Sequence, residues 1–286
     1  MAKVTAAAVQ MRSGVDPERN AQALRTGVAE AAGRGAHYVQ TPEMTGAVQR
    51  DRAELFKVLR DESSDIIVRT GSELAAEHGI FLHIGSTAIS VGDGKIANRA
   101  FLFGPDGAII CYYDKMHMFD VDLDNGESWR ESAVYRPGEG TCVADLPFAA
   151  VGLAICYDLR FPELFRRQAV AGAEILTVPA AFTRQTGEAH WHVLQRARAI
   201  ENGAFVVAAA QGGRHQDGRE TYGHSLIVDP WGRVIAEAAH DEPDVIVAEI
   251  DTTAVEAARA KIPNLKNARE IGTVHRFAAE ARRQAL

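Results

Sequence analysis

The sequence predicts an α/β fold, built as a four-layer α-β-β-α sandwich from two duplicated halves. Strand signals alternate with helical ones along the chain, as in α/β proteins. Two segments of the first half also recur in order in the second: residues 35–42 parallel 172–179, and residues 101–110 parallel 226–235. If each half is a sheet with helices on one face, packing the two bare faces together buries both. With 286 residues, 47% of them hydrophobic, the chain can bury such a core.

The first elements follow from their apolar spacing and their end signals. Residues 4–9 read as a strand. Asp16 can cap a helix with Pro17 at its first position, and that helix is expected to stop at Gly33. Residues 38–41 then form a second strand.

The next elements have the same kinds of signal. Ser63 or Ser64 is expected to open a helix that ends near Gly79, because apolar residues recur on one helical face between them. Residues 81–86 return to strand, and residues 109–114 form a later strand.

The second half begins with a buried strand, and the chain ends in a tail. Residues 151–155 are an unbroken apolar run, and Pro162 starts the helix that follows. No linker separates the halves, so we expect one domain over residues 1–286, with residues 252–286 as a C-terminal tail. Residues 261–269 are expected to form an exposed arm, serving either as a loose terminus or as a subunit contact.

The charge pattern favours a small-molecule substrate. The net charge is −7 and the basic residues are dispersed, which argues against nucleic acid or an anionic membrane as a partner. The N-terminus has no signal-peptide apolar region, and no apolar run approaches the roughly 18 residues of a membrane span. We therefore expect a cytoplasmic protein.

Cofactor and metal signals are weak. Cys111, Cys142 and Cys156 lack C-x-x-C spacing, so neither a disulfide framework nor a thiolate zinc site is indicated. His190 and His192 are two positions apart and would lie on different faces of a helix. Since no phosphate loop or dinucleotide fingerprint occurs either, we expect neither a metal nor an organic cofactor.

Three residues suited to catalysis follow predicted strands. Cys156 comes directly after the apolar run at 151–155 and precedes a turn, which is how α/β enzymes present a nucleophile. Glu43 follows the strand at 38–41, and Lys115 follows the strand at 109–114. Because active sites form at the carboxyl ends of strands, the three are expected to act together.

Three motifs that contain these residues resemble those of a known family. They are Thr-Pro-Glu at 41–43, Tyr-Asp-Lys-Met-His-Met-Phe-Asp at 113–120 and Ile-Cys-Tyr-Asp-Leu-Arg-Phe-Pro-Glu at 155–163. With them, nearly the whole chain resembles the nitrilase, or carbon-nitrogen hydrolase, superfamily. The resemblance implies the four-layer sandwich, a Glu43-Lys115-Cys156 triad with Glu131 as a fourth position, and assembly as a homodimer or larger homo-oligomer.

The resemblance also narrows the substrate. Segments at 179–183, 186–191, 196–202 and 222–225 look like the Nit branch of amidases, which hydrolyse ω-amides of small carboxylates, including deaminated glutathione and α-keto acid amides. True nitrilases carry Trp-Glu where Tyr157-Asp158 stands here. The motif around Cys156 is also similar to that of N-carbamoyl amino acid hydrolases, which remain an alternative. A catalytically silent scaffold for protein contacts is a further alternative.

The chemistry expected of the triad is amide hydrolysis through a thioester. Glu43 would take the thiol proton, and both Glu43 and the Lys115 ammonium would favour the thiolate of Cys156. Lys115 and the backbone N–H of Tyr157 would hold the oxyanion. Glu43 would then protonate the leaving ammonia and activate the water that opens the thioester. Glu131 would hold Lys115 or the substrate amide, unless it is only an exposed acid before a turn.

Arg160 is the expected binder of a substrate carboxylate. A guanidinium four residues past the nucleophile can grip a carboxylate through two hydrogen bonds. An ion pair with Asp158 or Glu163 is the competing interpretation.

The loop after Pro179 supplies further candidates for substrate binding. Phe182, Thr183 and Thr186 are expected to line the pocket, although Thr186 could instead cap a helix that begins near Gly187. His117 and His224 are expected to be structural hydrogen-bond partners rather than catalytic bases.

Overall fold

The computed structural model describes residues 3–92, 94–123, 126 and 128–276. The strands are β1 (Lys3–Gln10), β2 (Tyr38–Gln40), β3 (Phe81–Ser90), β4 (Ile96–Phe103), β5 (Ile109–Asp114), β6 (Asp120–Asp122), β7 (Ser128–Arg130), β8 (Cys142–Asp145), β9 (Ala150–Leu153), β10 (Ile175–Thr177), β11 (Phe205–Ala208), β12 (Gly212–Arg214), β13 (Glu220–Tyr222), β14 (Leu226–Val228), β15 (Val234–Glu237) and β16 (Asp244–Asp251). The helices are α1 (Pro17–Gly33), α2 (Arg52–Val58), α3 (Ile66–His78), α4 (Pro162–Val170), α5 (Arg184–Asn202) and α6 (Thr253–Lys261), with single 3₁₀ turns at Glu131–Ala133 and Cys156–Arg160.

The larger sheets have matching strand orders. In the part of the chain that the structure describes, one six-stranded sheet runs β16-β1-β2-β3-β4-β5 and the other runs β8-β9-β10-β11-β14-β15. In each, a central block of parallel strands is flanked by antiparallel ones. The repeated segments occupy equivalent places, since β2 corresponds to β10 and the β4–β5 hairpin to the β14–β15 hairpin. The predicted duplication is confirmed.

The sheets pack face to face, with helices outside. Ala8 of β1 and Val151 of β9 belong to one buried cluster that joins the two sheets. Val9, which points to the opposite face of β1, packs in a second cluster with Leu24 of α1. This alternation is the period of two expected of a strand buried on both faces. Burial of a side chain such as Leu24 stabilises the fold by about 1.5–3 kcal/mol.

Helix α1 follows its sequence signals closely. Asp16 accepts a hydrogen bond from the backbone N–H of Glu18, and Pro17 is the first helical residue. The helix ends at Gly33, as predicted.

Helix α3 begins later than predicted. Asp65, rather than Ser63 or Ser64, is the cap, because its carboxylate accepts hydrogen bonds from the backbone N–H groups of the first turn. Both serine hydroxyls donate instead to the carboxylate of Asp61 at 2.8 Å. Both serine hydroxyls are therefore engaged in the turn around Asp61 and do not cap the helix.

Strand β3 extends beyond the predicted residues 81–86 to Ser90. Its pairing with β4 shifts register between Ile84 and Thr87, and Gly85 lies in that irregularity. A Cβ atom at Gly85 would lie 2.1 Å from the carbonyl oxygen of Thr41 and 2.4 Å from Cβ of Pro179. Gly85 thus lets loops from the two sheets meet.

The C-terminal segment starts with a packed helix. Val255 of α6 is 2% exposed, and Arg259 donates to the carbonyl oxygens of Asn202 and Ala173. In the predicted arm at 261–269, Asn264 donates to the carbonyl oxygen of Glu201 at 2.6 Å. The last part of the predicted tail, residues 277–286, lies outside the described residues. Among the described helices, none has the length and apolarity that a membrane span requires.

Candidate active site

Cys156 sits in a strained backbone conformation at the end of the β9 segment. Its φ is +50°, in the left-handed region that side chains other than glycine rarely adopt. Its N–H donates to the carbonyl oxygen of Pro179 at 2.9 Å, and the short 3₁₀ helix begins at once. The turn therefore points the thiol away from the strand direction, towards the loops that end the neighbouring strands.

Glu43 is buried at the end of β2 and is held on both carboxylate oxygens. Oε1 accepts hydrogen bonds from Asn98 Nδ2 and Lys115 Nζ, each at 2.9 Å. Oε2 accepts from the backbone N–H of Ala181 at 2.9 Å. The thiol of Cys156 lies close enough to this carboxylate for each group to shift the pKa of the other. The side chains predicted from the sequence as base and nucleophile are thus close neighbours.

Lys115 is 2% exposed and lies between two carboxylates. Besides Glu43, its Nζ contacts both oxygens of Glu131, at 2.9 and 3.0 Å. Glu131 in turn accepts hydrogen bonds from Phe119 N–H at 2.6 Å and from Asn98 Nδ2 at 3.2 Å. With its side chain 12% exposed, Glu131 is part of the buried cluster and not a surface acid.

The protonation states of the cluster follow from these contacts. Burial alone would raise the pKa of Glu43, but the Lys115 ammonium and the hydrogen bonds to Cys156, Lys115 and Asn98 bring that pKa below its ordinary value. Burial alone would lower the pKa of Lys115, and the carboxylates of Glu131 and Glu43 instead raise it well above its ordinary value. At neutral pH the glutamate is therefore ionised and the lysine charged.

The thiol state differs from the expectation. Burial and the negative charge of Glu43 raise the pKa of Cys156 well above its ordinary value, and the lysine offsets only part of that rise. The resting thiol is therefore neutral, not a thiolate. The sequence-based expectation was wrong here because it treated both Glu43 and Lys115 as favouring the thiolate and left out the burial of the thiol and its repulsion by the Glu43 charge.

Asp158 connects the 3₁₀ turn that begins at Cys156 to the segment around Lys115 at the end of β5. This fully buried carboxylate accepts hydrogen bonds from the Tyr113 hydroxyl at 2.7 Å, the Ile155 N–H at 2.9 Å and the His117 N–H at 3.2 Å. The Nδ1 atom of His117 is 2.7 Å from the same carboxylate. His117 is thus the hydrogen-bond partner that the sequence predicts, and these contacts fix Lys115 relative to Cys156.

A cavity of about 290 Å³ opens above the cluster. Every residue named from the sequence for the site lies on its wall. These residues are Glu43, Lys115, Glu131, Cys156, Tyr157, Arg160, Phe182, Thr183 and Thr186.

Arg160 faces this cavity and forms no ion pair with Asp158 or Glu163 in the described part of the chain. Its Cζ atom is 5.4 Å from the ring centroid of Phe182, and Nη1 is 3.3 Å from Nδ1 of His190. The competing interpretation, a structural ion pair, is not what the structure contains. The guanidinium remains available to an anion in the cavity.

Thr186 does not cap its helix. Helix α5 begins at Arg184 with Thr183 at the cap position, so a start near Gly187 is wrong. The hydroxyl oxygens of Thr183 and Thr186 are 2.8 Å apart, and both side chains are buried on the cavity wall. Thr183 itself forms no side-chain cap hydrogen bond.

Two groups of the cluster were missed by the sequence reasoning. Asn98 donates to both carboxylates, and the backbone N–H of Ala181 binds Glu43. The available signal for Asn98 was a carboxamide inside an apolar strand, where a polar side chain needs a buried partner. A backbone N–H such as that of Ala181 has no sequence signal.

Comparisons with known proteins agree with this geometry. The model of the family described as carbon-nitrogen hydrolase matches residues 5–260. The deaminated glutathione amidase of Yersinia enterocolitica is 37% identical over 281 residues, which cover 96% of each chain.

Solved structures show the same fold. The Caenorhabditis protein of the structure titled C. elegans NitFhit has a TM-score of 0.86 and 35% identity, over 93% of this chain and 65% of that one. Saccharomyces cerevisiae Nit3 is described as a member of branch 10 of the nitrilase superfamily. Its structure has a TM-score of 0.82 and 31% sequence identity, over 91% of this chain and 94% of that one. The chain therefore belongs to the carbon-nitrogen hydrolase family and is an amide-hydrolysing enzyme.

Proposed function

We propose that the enzyme hydrolyses the C–N bond of a small amide that bears a carboxylate, of the deaminated glutathione or α-keto acid ω-amide type. The observation that carries this proposal is the hydrogen bond between Lys115 and Glu43, with Cys156 beside them, in a cavity whose wall also holds Arg160. The name of the Yersinia relative supports the same substrate class.

The first step is attack by Cys156 on the amide carbonyl carbon. Because the resting thiol is neutral, Glu43 removes its proton as the carbon–sulfur bond forms. Lys115 stays protonated and stabilises the oxyanion, together with the N–H of Tyr157 in the first turn of the 3₁₀ helix, where backbone N–H groups have no intrahelical acceptor. Each such donor lowers the barrier by about 3 kcal/mol.

The second step completes hydrolysis. Glu43 gives its proton to the leaving nitrogen, which departs as ammonia from a primary amide and leaves a thioester on Cys156. Glu43 then takes a proton from water, which attacks the thioester and releases the acid. Glu131 acts by holding Lys115, whose ammonium it contacts through both oxygens.

The cavity wall sets the substrate. Arg160 binds the carboxylate of the acyl half, and Phe182, beneath the guanidinium, covers its apolar carbons. Thr183 and Thr186 contribute hydroxyl groups to the same wall.

Ammonia release over a panel of ω-amides, N-carbamoyl amino acids and nitriles tests the proposal. We expect turnover of the ω-amides and its loss in Cys156→Ala, with Cys142→Ala as the matched control that keeps it. Carbon dioxide released along with ammonia would instead identify an N-carbamoyl hydrolase. If acrylamide, a thiol-directed amide analogue, fails to modify Cys156 and no amide is turned over, the scaffold alternative is supported.

We propose further that the enzyme is a cytoplasmic homo-oligomer. Large apolar side chains are exposed on α4 and α5, with Val170 and Val193 each 67% exposed, which supports a subunit contact on that face. The free state of the described cysteines fits a reducing compartment. Sedimentation of the purified chain at the mass of a monomer would contradict the assembly.

A further inference from the structure

Two of the three cysteines lie on strands at the edges of the large sheets. Cys111 is in β5 and pairs with Leu102 of β4, and Cys142 is in β8 and pairs with Leu153 of β9. Strand β5 ends one six-stranded sheet, and β8 ends the other. Cys156 lines the cavity, whereas these two cysteines do not. The pair is therefore separate from the catalytic cluster.

The sandwich brings the two edge strands together. Strands β5 and β8 contact each other although they belong to different sheets. Tyr113, two residues after Cys111, and Ala144, two residues after Cys142, are buried in the cluster that joins the sheets. Because side chains alternate along a strand, the cysteines share this inward face, and both pack against the same cluster. The two thiols thus lie on the facing sides of opposing sheets.

The thiols are close neighbours. The Sγ atom of Cys142 is 3.9 Å from the carbonyl oxygen of Tyr112, the residue next to Cys111. The thiols also shift each other's pKa, since Cys142 lowers the pKa of Cys111, while Cys111 and burial raise that of Cys142. A disulfide needs Cβ atoms about 3.5–4.5 Å apart, so strands that already touch through these residues need little movement to form one.

The two thiols differ in the way that thiol–disulfide exchange requires. The attacking species is a thiolate, and a thiol with a lowered pKa supplies more of it at neutral pH. Cys111 is the member of the pair with the lowered pKa. Both cysteines are half-buried, so a small disulfide can reach them. Cys156, in contrast, is 7% exposed and its pKa is raised well above its ordinary value.

This edge of the sandwich also carries part of the catalytic machinery. Lys115 directly follows β5. Tyr113 of β5 donates a hydrogen bond to Asp158, which belongs to the turn that begins at Cys156. A bond between the edge strands would therefore keep the lysine segment and the nucleophile turn together.

We propose that Cys111 and Cys142 form a reversible disulfide that cross-links the two sheets at their shared edge under oxidising conditions, and that the cross-linked enzyme unfolds at a higher temperature than the reduced one. The oxidant is a low-molecular-weight disulfide, of which glutathione disulfide is the probe used below. This inference does not depend on which amide the enzyme hydrolyses.

The exchange proceeds in two steps. The Cys111 thiolate attacks one sulfur of glutathione disulfide, which forms a mixed disulfide and releases one glutathione thiolate. That thiolate takes the proton of Cys142, whose sulfur then attacks the sulfur of Cys111 and releases the second glutathione. The cysteine pair loses two electrons, and one glutathione disulfide becomes two molecules of glutathione. A dithiol reductant reverses both steps.

Thiol counting tests whether the bond forms. A chromogenic thiol reagent in denaturant should find three free thiols in the reduced chain, and one after incubation with glutathione disulfide and its removal. Cys156→Ala should go from two to none. Asp145 lies between Cys142 and Cys156, so cleavage before aspartate and mass spectrometry identify the cysteine that is bonded to Cys111.

Thermal unfolding tests whether the bond holds the sheets together. Oxidation should raise the Tm of the wild type by about 5–10 °C, because the disulfide restricts residues 111–142 in the unfolded chain. Cys111→Ser and Cys142→Ser should show no rise after the same treatment. Cys156→Ala is the matched control and should show the full rise. Each shift compares oxidised and reduced forms of one preparation, so a less stable variant cannot imitate the effect.

Other outcomes overturn the inference. Three free thiols after the treatment, or glutathione retained on either cysteine without a bond between them, means that the sulfurs do not pair. A bond from Cys111 to Cys156 contradicts the assignment of the pair. An unchanged or lower Tm of the oxidised wild type contradicts the cross-linking of the sheets. Failure of the proposed function would appear in the amide panel and would leave the thiol count and the Tm shift in place.

Discussion

At the scale of the residue, Asn98 links the two carboxylates that flank Lys115. Its Nδ2 group donates to Glu43 at 2.9 Å and to Glu131 at 3.2 Å. Since both neighbours accept, the amide nitrogen and not the oxygen must face them. Asn98 thus stabilises the ionised form of Glu43, the proposed general base, and we propose that it is a positioning residue.

Asn98→Asp should impair catalysis by reversing this effect. The change replaces a donor with a third carboxylate, which raises the pKa of Glu43 by repulsion. In the wild type the acidic limb of kcat/KM should lie below pH 4.5, because Glu43 titrates below its ordinary value. In the variant we expect that limb at higher pH and kcat/KM at pH 7 lower by about tenfold to a hundredfold. A uniform loss with an unshifted pH profile would indicate a merely structural role.

The residues whose shared location the strand pattern alone could predict are those that follow strand ends. Glu43, Lys115 and Cys156 come directly after apolar strands, so their shared location could be predicted. Asn98 lies inside β4, and its neighbours are set by pairing with β3 and β5, which no local spacing reveals. The neutral state of Cys156 depends on burial, which also comes from the assembled sheets.

At the scale of the element, the bend of β3 allows the two catalytic loops to meet. At Gly85, an added Cβ would lie 2.1 Å from the Thr41 carbonyl oxygen, 2.4 Å from Pro179 and 2.7 Å from Pro42. Pro42 precedes Glu43, the proposed general base, and the carbonyl oxygen of Pro179 accepts a hydrogen bond from the N–H of Cys156. Both loops thus pack directly against the backbone of β3 at Gly85.

Gly85→Ala should therefore affect both stability and catalysis. The methyl group meets backbone atoms that cannot rotate away, so we expect unfolding free energy to fall by about 1–3 kcal/mol and kcat to fall with it. Urea unfolding and steady-state kinetics measure the two effects. Gly33→Ala, at the open end of α1, is the control, since a Cβ there meets nothing within 4 Å. Equal behaviour of the two variants would mean that the loops adjust freely.

Element boundaries were predictable to the extent that their signals were local. The α1 cap at Asp16 was found because the proline after it fixes the first turn. The start of α3 was missed because Ser63, Ser64 and Asp65 are all good caps, and only the turn at Asp61 decides among them. The extension of β3 to Ser90 depends on its pairing with β4, a tertiary contact.

At the scale of the whole molecule, a buried polar network joins the two sheets. Gln40 of β2 donates to Nδ1 of His83 at 3.2 Å, and the Tyr38 hydroxyl lies 3.1 Å from the same nitrogen. The Oε1 atom of Gln40 accepts from the backbone N–H of Ala209 in the other sheet at 2.9 Å. Burial lowers the pKa of His83 to about 3.

This histidine should make stability depend on pH. Between pH 6.5 and about 3, the unfolded chain binds a proton at His83 that the native protein does not. Its contribution to stability is therefore fully present above pH 6.5 and is lost as the pH falls. From pH 7 to pH 5 we expect a loss of about 2 kcal/mol in unfolding free energy by urea titration.

His83→Asn should remove this part of the slope, whatever its effect on stability at pH 7. His37→Gln, at an exposed position, should leave the slope in place. An unchanged slope in His83→Asn would show that other groups cause the acid sensitivity.

The duplication could be predicted from repeated segments, but the use of both halves in one site could not. Pro42-Glu43 and Pro179-Ala180 occupy equivalent positions after β2 and β10, yet only the first carries a carboxylate. Glu43 and Lys115 belong to one half, and Cys156 and Ala181 to the other. That division follows from the face-to-face packing of the sheets.

Because the site is divided between the two sheets, enzyme activity depends on their packing against each other and can be used to follow it. Glu43 and the Cys156 thiol belong to different sheets, so a small separation of the sheets moves them apart while each sheet keeps its own backbone pairing. During gradual denaturation, activity should therefore disappear before the secondary structure does. The remaining activity of a partly denatured sample then measures the fraction of molecules whose two sheets are still packed together.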